Sequence, residues 1–122
     1  MKYYGYVWAG LFVADLETEI AFYRDAVGLE FLSQEGEFAF FDDGAGHLFE
    51  LWPMGVPSAS PKTPAQQSLK VSFKVADLDE AVAELKGNGV QFVGDIGEKD
   101  GTRWAIFVDP EGNLLELKQL PD

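Results

Sequence analysis

The sequence contains no cysteine and a single histidine, His47. The first absence excludes disulfides, thiolate metal sites and cysteine nucleophiles. The second excludes any multi-histidine metal site within one chain. Basic residues are scarce as well: nine Lys and Arg against 21 Asp and Glu give a formal charge of -12. Nucleic acid and anionic membranes both require a Lys/Arg surface to neutralise phosphates, so neither is an expected partner. Neutral or cationic ligands fit the charge better, although an acidic surface also serves solubility. No apolar run approaches the roughly 20 residues that span a bilayer. The opening residues, MKYYGYVWAG, lack the charged start, apolar run and small-residue cleavage pattern of a secretory leader. The expectation is a soluble, cytoplasmic protein.

At 122 residues with 47% hydrophobic and 14% aromatic content, residues 1–122 are expected to form a single domain with a real core. The chain repeats itself. Residues 107–117, FVDPEGNLLEL, recur in weaker form at 41–51, FDDGAGHLFEL, with Phe41/Phe107, Asp43/Asp109, Gly46/Gly112, Leu48/Leu114, Glu50/Glu116 and Leu51/Leu117 in the same order. Each copy reads as a strand, a tight turn and a returning strand. In the second copy, Asp109-Pro110-Glu111-Gly112 has turn chemistry, since proline fixes φ and glycine tolerates positive φ. Alternation along the returning strands sends Glu50 and Glu116 out on the same side of equivalent strands.

Alternation predicts a first strand over residues 6–13, with Val7, Ala9, Leu11 and Val13 on one face and Trp8, Gly10 and Phe12 on the other. Asp15 caps a helix over 16–27, where Leu16, Ile20, Tyr23 and Val27 recur at helical spacing, and Gly28 ends it. Strands are expected at 30–34, 37–41 and 48–52, which makes residues 5–53 a βαβββ module. Residues 53–68 hold four of the six prolines and show no periodicity; 54–68 therefore read as a linker. A second module over 69–120 repeats the plan. Residues 75–78, VADL, are identical to 13–16, displaced by 62 positions. Asp77 caps a helix over 78–86, and strands are expected at 69–75, 90–93, 102–108 and 114–119. One amphipathic helix covers one face of each sheet, in the second module the face carrying Leu69, Val71, Phe73 and Val75. The other faces carry Trp8, Gly10, Phe12, Leu48, Glu50 and Trp52 in the first module, and Lys70, Ser72 and Lys74 in the second. Such a mixture of aromatic and charged side chains suits a concave pocket.

Paired βαβββ modules, the segment VADLETEIAFYRDAVGLEF and the ending DPEGNLLEL resemble the glyoxalase, bleomycin-resistance and extradiol dioxygenase superfamily, the vicinal oxygen chelate fold. The resemblance covers nearly the whole chain outside the linker. It implies an α+β fold in which the curved mixed sheets of two modules form a cup, usually in a homodimer, with the modules paired within one chain or exchanged between two. In the metal-dependent members, the first and last strand of each module supply the metal ligands, usually histidine or glutamine and then glutamate. The matching positions here are Trp8 and Lys70, then Glu50 and Glu116. Half of that metal site is missing. An indole N–H offers a metal no lone pair, and an ammonium has no free acceptor. The expectation is no metal cofactor, with Lys70 pairing with Glu50 or Glu116 in place of a cation; two carboxylates alone would hold a divalent metal such as Mg, Mn, Zn, Ni or Fe only as the alternative.

The candidate ligand-binding residues are accordingly Trp8, Phe12, Phe38, Phe40, Glu50, Trp52, Lys70, Trp104 and Glu116. Aromatic walls beside carboxylates suit a flat or cationic ligand through stacking and cation–π attraction. His47 reads as a turn or rim residue. No catalytic residue is assigned. The functional expectation is a binding protein that sequesters a small apolar or cationic molecule, with an antibiotic as the nearest precedent. The alternatives are a lyase- or isomerase-type enzyme using Glu50 and Glu116, with or without a metal, and a regulatory domain acting through protein contacts.

Overall fold

In a computed structural model, which describes residues 1–122, the chain forms two four-stranded mixed sheets, each with one helix. The first contains β1 (Trp8–Phe12), β2 (Glu30–Glu35), β3 (Phe38–Asp42) and β4 (Leu48–Trp52), in the order β1-β4-β3-β2. The second contains β5 (Val71–Lys74), β6 (Gln91–Lys99), β7 (Thr102–Val108) and β8 (Leu114–Gln119), in the order β5-β8-β7-β6. In each sheet the first strand runs parallel to the last, and the remaining pairs are antiparallel hairpins. This is the glyoxalase/bleomycin-resistance fold of two βαβββ modules.

The helices begin where the sequence places their caps. The Asp15 side chain accepts from the backbone N–H and hydroxyl of Thr18 at 3.2 and 2.8 Å, and the Asp77 side chain accepts from the Glu80 N–H at 3.0 Å. Helix α1 is regular over Leu16–Ala21 and continues as a π-helical turn over Phe22–Val27, where the Gly28 N–H reaches back to the Tyr23 carbonyl. Gly28 then stops it in the left-handed conformation at φ 88°. Helix α2 spans Leu78–Gly87.

Three strand expectations change. Strand β1 spans Trp8–Phe12 instead of 6–13, and Val7 is 74% exposed rather than on the covered face. Strand β6 runs to Lys99 instead of stopping at residue 93, because a register shift between Val93 and Gly97, with Gly94 at φ 73°, absorbs the polar GDIG stretch. Strand β5 begins at Val71, so Leu69 and Lys70 precede it, and Leu69 is 80% exposed rather than on the covered face.

The helix-covered faces of the two sheets merge. A single cluster of 16 buried residues takes in Phe41, Phe49 and Leu51 from one module and Phe107, Leu115 and Leu117 from the other. The Phe49 ring meets Phe73 edge-on at 5.3 Å, and Phe22 lies 6.4 Å from Phe107. Sharing a core leaves the opposite faces of both sheets open, and these carry the candidate site. The linker is docked: Ser58 and Lys62 donate backbone N–H bonds to the carbonyls of Glu111 and Gly112, and the Gln67 side chain pairs with both backbone groups of Leu114.

Candidate functional site

Strand alternation builds the first half of the site. Phe49 and Leu51 of β4 enter the core, which turns Leu48, Glu50 and Trp52 to the open face. Glu50 is nevertheless only 5% exposed, because aromatic side chains wall it in. The Trp52 indole N–H donates to Glu50 Oε1 at 2.8 Å. Trp8 stacks on Trp52 with ring centroids 5.2 Å apart and planes 9° from parallel, while Phe38 meets Trp52 edge-on at 4.9 Å. Phe40 stands opposite Glu50 in the β3–β4 register. Gly10 lies beside Glu50 in the β1–β4 register, and a Cβ there would collide with the Glu50 carbonyl oxygen. A glycine is what lets β1 close onto this position.

The second half differs from the expectation for Lys70. Glu116 accepts from the Ser72 hydroxyl at 2.8 Å and pairs with the Lys118 ammonium at 3.2 Å. Lys118 also lies 5.9 Å above the Trp104 ring. Lys118 stands two residues along the same strand and therefore on the same face, whereas Lys70 precedes β5 and is exposed. The counter-charge is Lys118, and Lys70 pairs with neither glutamate. The β7–β8 register is regular from Arg103 to Val108, which puts Trp104 on the open face with Glu116. Its ring covers Gly97, where a Cβ would strike the indole.

Strands β1 and β5, each an edge of its sheet, border one cavity of about 630 Å³. Trp8, Phe12 and Trp52 line it from the first module and Lys70 and Ser72 from the second, with Tyr6 and Leu69 at the strand approaches. This volume lies within the range of small-molecule sites. Of the candidate residues, Trp8, Phe12, Trp52 and Lys70 meet there. Glu50 sits behind the Trp52 indole, and Phe38, Phe40, Trp104 and Glu116 do not line the cavity.

The model of the Glyoxalase/Bleomycin resistance protein/Dioxygenase superfamily matches residues 5–117. The chain belongs to that superfamily. It is 30% identical over 120 residues to the uncharacterized protein YraH of Bacillus subtilis, covering 90% of this chain and 94% of that one. It is similar in structure to TnmS3, an antibiotic binding protein from Streptomyces sp. CB03234, with a TM-score of 0.77, 26% identity and coverage of 100% and 99% of the two chains. Lactoylglutathione lyase from Agrobacterium tumefaciens shares the fold, with a TM-score of 0.73 at 22% identity over 98% of this chain and 96% of that one.

The metal of this superfamily's metal-dependent members does not fit the residues present. Two of the four positions hold Trp8 and Lys70, which have no lone pair to offer. Glu50 is bonded to an indole, and Glu116 is taken up by Ser72 and Lys118. Nowhere in the fold do three or more His, Asp or Glu side chains gather into a metal-holding group.

Two features escaped the sequence. His47, read as a turn or rim residue, is held by Asp43: its Nδ1 lies 3.1 Å from Oδ2 of Asp43, whose Oδ1 accepts the N–H groups of Ala45 and His47. Burial pushes the Asp43 carboxyl up, but these backbone donations and the imidazole outweigh it and hold it below its ordinary value. The repeat contained the signal, since Asp43 matches Asp109, which bonds its own turn in the same way. The second is a buried polar cluster of Glu19, Lys62, Asp109, Glu111 and Asn113, in which Tyr23 donates its hydroxyl to Asp109 Oδ2 at 2.8 Å. Only the spacing of Glu19 and Tyr23, one helical turn apart, hinted at it.

Proposed function

We propose that this chain is a metal-free binding protein that sequesters a small, flat apolar or cationic molecule in the cavity between β1 and β5. The observation that carries this reading is the parallel Trp8–Trp52 pair on the cavity wall, with Glu50 hydrogen-bonded behind it. An indole shelf offers a flat ring a stacking surface. A ligand cation over it gains about 0.5–2 kcal/mol from the ring quadrupole, and the buried carboxylate adds charge of the right sign. The likeness to an antibiotic binding protein supports an antibiotic as one ligand class. A homodimer is part of the proposal: Trp8 at 44% and Phe12 at 63% exposure leave the open face of the first sheet apolar and uncovered, and a second copy is a suitable cover.

The test is tryptophan fluorescence of chelator-treated protein titrated with a panel of flat aromatic and cationic drugs, beside a separate titration with divalent metals. Saturable quenching by a drug, lost in Trp8→Ala and unchanged by chelator, is the expected result. A saturable response to a metal at micromolar concentration would instead put the enzyme reading first. Binding that survives both Trp8→Ala and Glu50→Gln would move the ligand out of this cavity.

A further inference from the structure

Glu19 lies on the first module's helix and has no accessible surface, and neither of its carboxyl oxygens has a hydrogen-bond donor. An ionised carboxylate in that position would forfeit its hydration with nothing in return, at a cost large enough that such groups take up a proton instead. The charged and titratable groups around it come from three elements. Tyr23 lies on its own helix, Asp109 and Glu111 on the turn between β7 and β8, and Lys62 on the linker.

Asp109 accepts four donors: the N–H groups of Glu111 and Asn113 on Oδ1, and the Tyr23 hydroxyl and Asn113 amide on Oδ2. Glu111 accepts the N–H groups of Ala14 and Asp15. Lys62 donates to Asn113 Oδ1 at 2.7 Å. No three His, Asp or Glu side chains gather there into a group that could hold a metal ion. A proton needs only Glu19 itself.

We propose that Glu19 is a neutral carboxylic acid in the folded protein, its hydroxyl directed at the Asp109 carboxylate, so that one proton fastens the first module's helix to the second module's last turn. Burial is the chief influence that pushes Glu19 up to about 10, followed by the hydrogen bond and charge of Asp109 and the charge of Glu111, with Lys62 opposing. The consequence is a junction that weakens as pH rises. The folded value lies above the unfolded value of 4.5, so the native state binds the extra proton. Its stabilising effect is complete below the unfolded value and is lost as pH climbs towards the folded one.

Infrared difference spectroscopy at pH 7 tests this directly. The intact protein should show one protonated-carboxyl carbonyl band that shifts in D2O and vanishes in Glu19→Gln. In parallel, the unfolding constant of the wild type should rise with pH between about 5 and 9 more steeply than that of Glu19→Gln, by up to tenfold per pH unit for one proton. Absence of the band at pH 7, or its persistence in the variant, would overturn the proposal, as would parallel pH profiles. If Glu19→Gln does not fold, the wild-type band is followed with pH: persistence to pH 8 or above supports the proposal, and loss near pH 5 defeats it.

Discussion

The Trp52 indole N–H reaches back two residues along its own strand to Oε1 of Glu50 at 2.8 Å, so the carboxylate and the aromatic shelf are one unit. Removing either half should therefore disturb the other. Glu50→Ala leaves a partly buried N–H without its acceptor, which should destabilise the protein by about 1–3 kcal/mol. Urea denaturation should register that loss, together with a shift of tryptophan emission as the Trp8–Trp52 pair loosens. Glu50→Gln keeps an acceptor oxygen and should preserve stability while weakening the binding of cationic ligands.

Gly10 is expected to be intolerant. In Gly10→Ala the new methyl group points into the backbone of Glu50, and β1 must separate from β4 to make room. Overpacking of this kind costs about 1–3 kcal/mol. The expected outcome is a lower thermal midpoint together with weaker ligand binding, because β1 forms one wall of the cavity.

The two lysines near the site should separate cleanly. Lys118→Met removes the partner of Glu116, and since the pair is partly exposed its loss should change stability by no more than about 1 kcal/mol. Lys70→Met removes the cavity's own cation and should strengthen the binding of a cationic drug while stability stays the same. Calorimetric titration of both variants with one drug checks the contrast; an effect of Lys118→Met alone would show that the second sheet's open face holds the ligand.

Asp43 supplies a pH dependence of opposite sign to that of Glu19. Its folded-state value is depressed below 3.8, so its stabilising effect is present above that value and is lost as pH falls through the folded one. Asp43→Asn should be less stable than wild type at pH 7, and the gap should narrow as pH falls below 3.8 and close only once the native carboxyl itself protonates. Denaturant midpoints at pH 3, 5 and 7 would show it.

Much of the architecture is determined by local pattern. Alternation separated Phe49 and Leu51 from Glu50 and Trp52, because a strand has only two faces and one is buried. Asp15 and Asp77 announced their helices because a side-chain acceptor before an amphipathic run meets otherwise unpaired N–H groups. The repeat of 41–51 at 107–117 located Glu50 and Glu116 on equivalent strands. The sequence by itself therefore determined two βαβββ modules and the aromatic, acidic character of their open faces.

Tertiary structure decided which of those residues meet. Lys70 and Lys118 share parity with the glutamates, yet only Lys118 reaches one, because β5 starts a residue after Lys70 and periodicity does not fix where a strand begins. The merging of both modules into one core, the docking of the linker through Lys62 and Gln67, and the enclosure of Glu19 join residues dozens of positions apart. Local periodicity is blind to such contacts, since it registers which way a side chain points and not what the fold later sets against it.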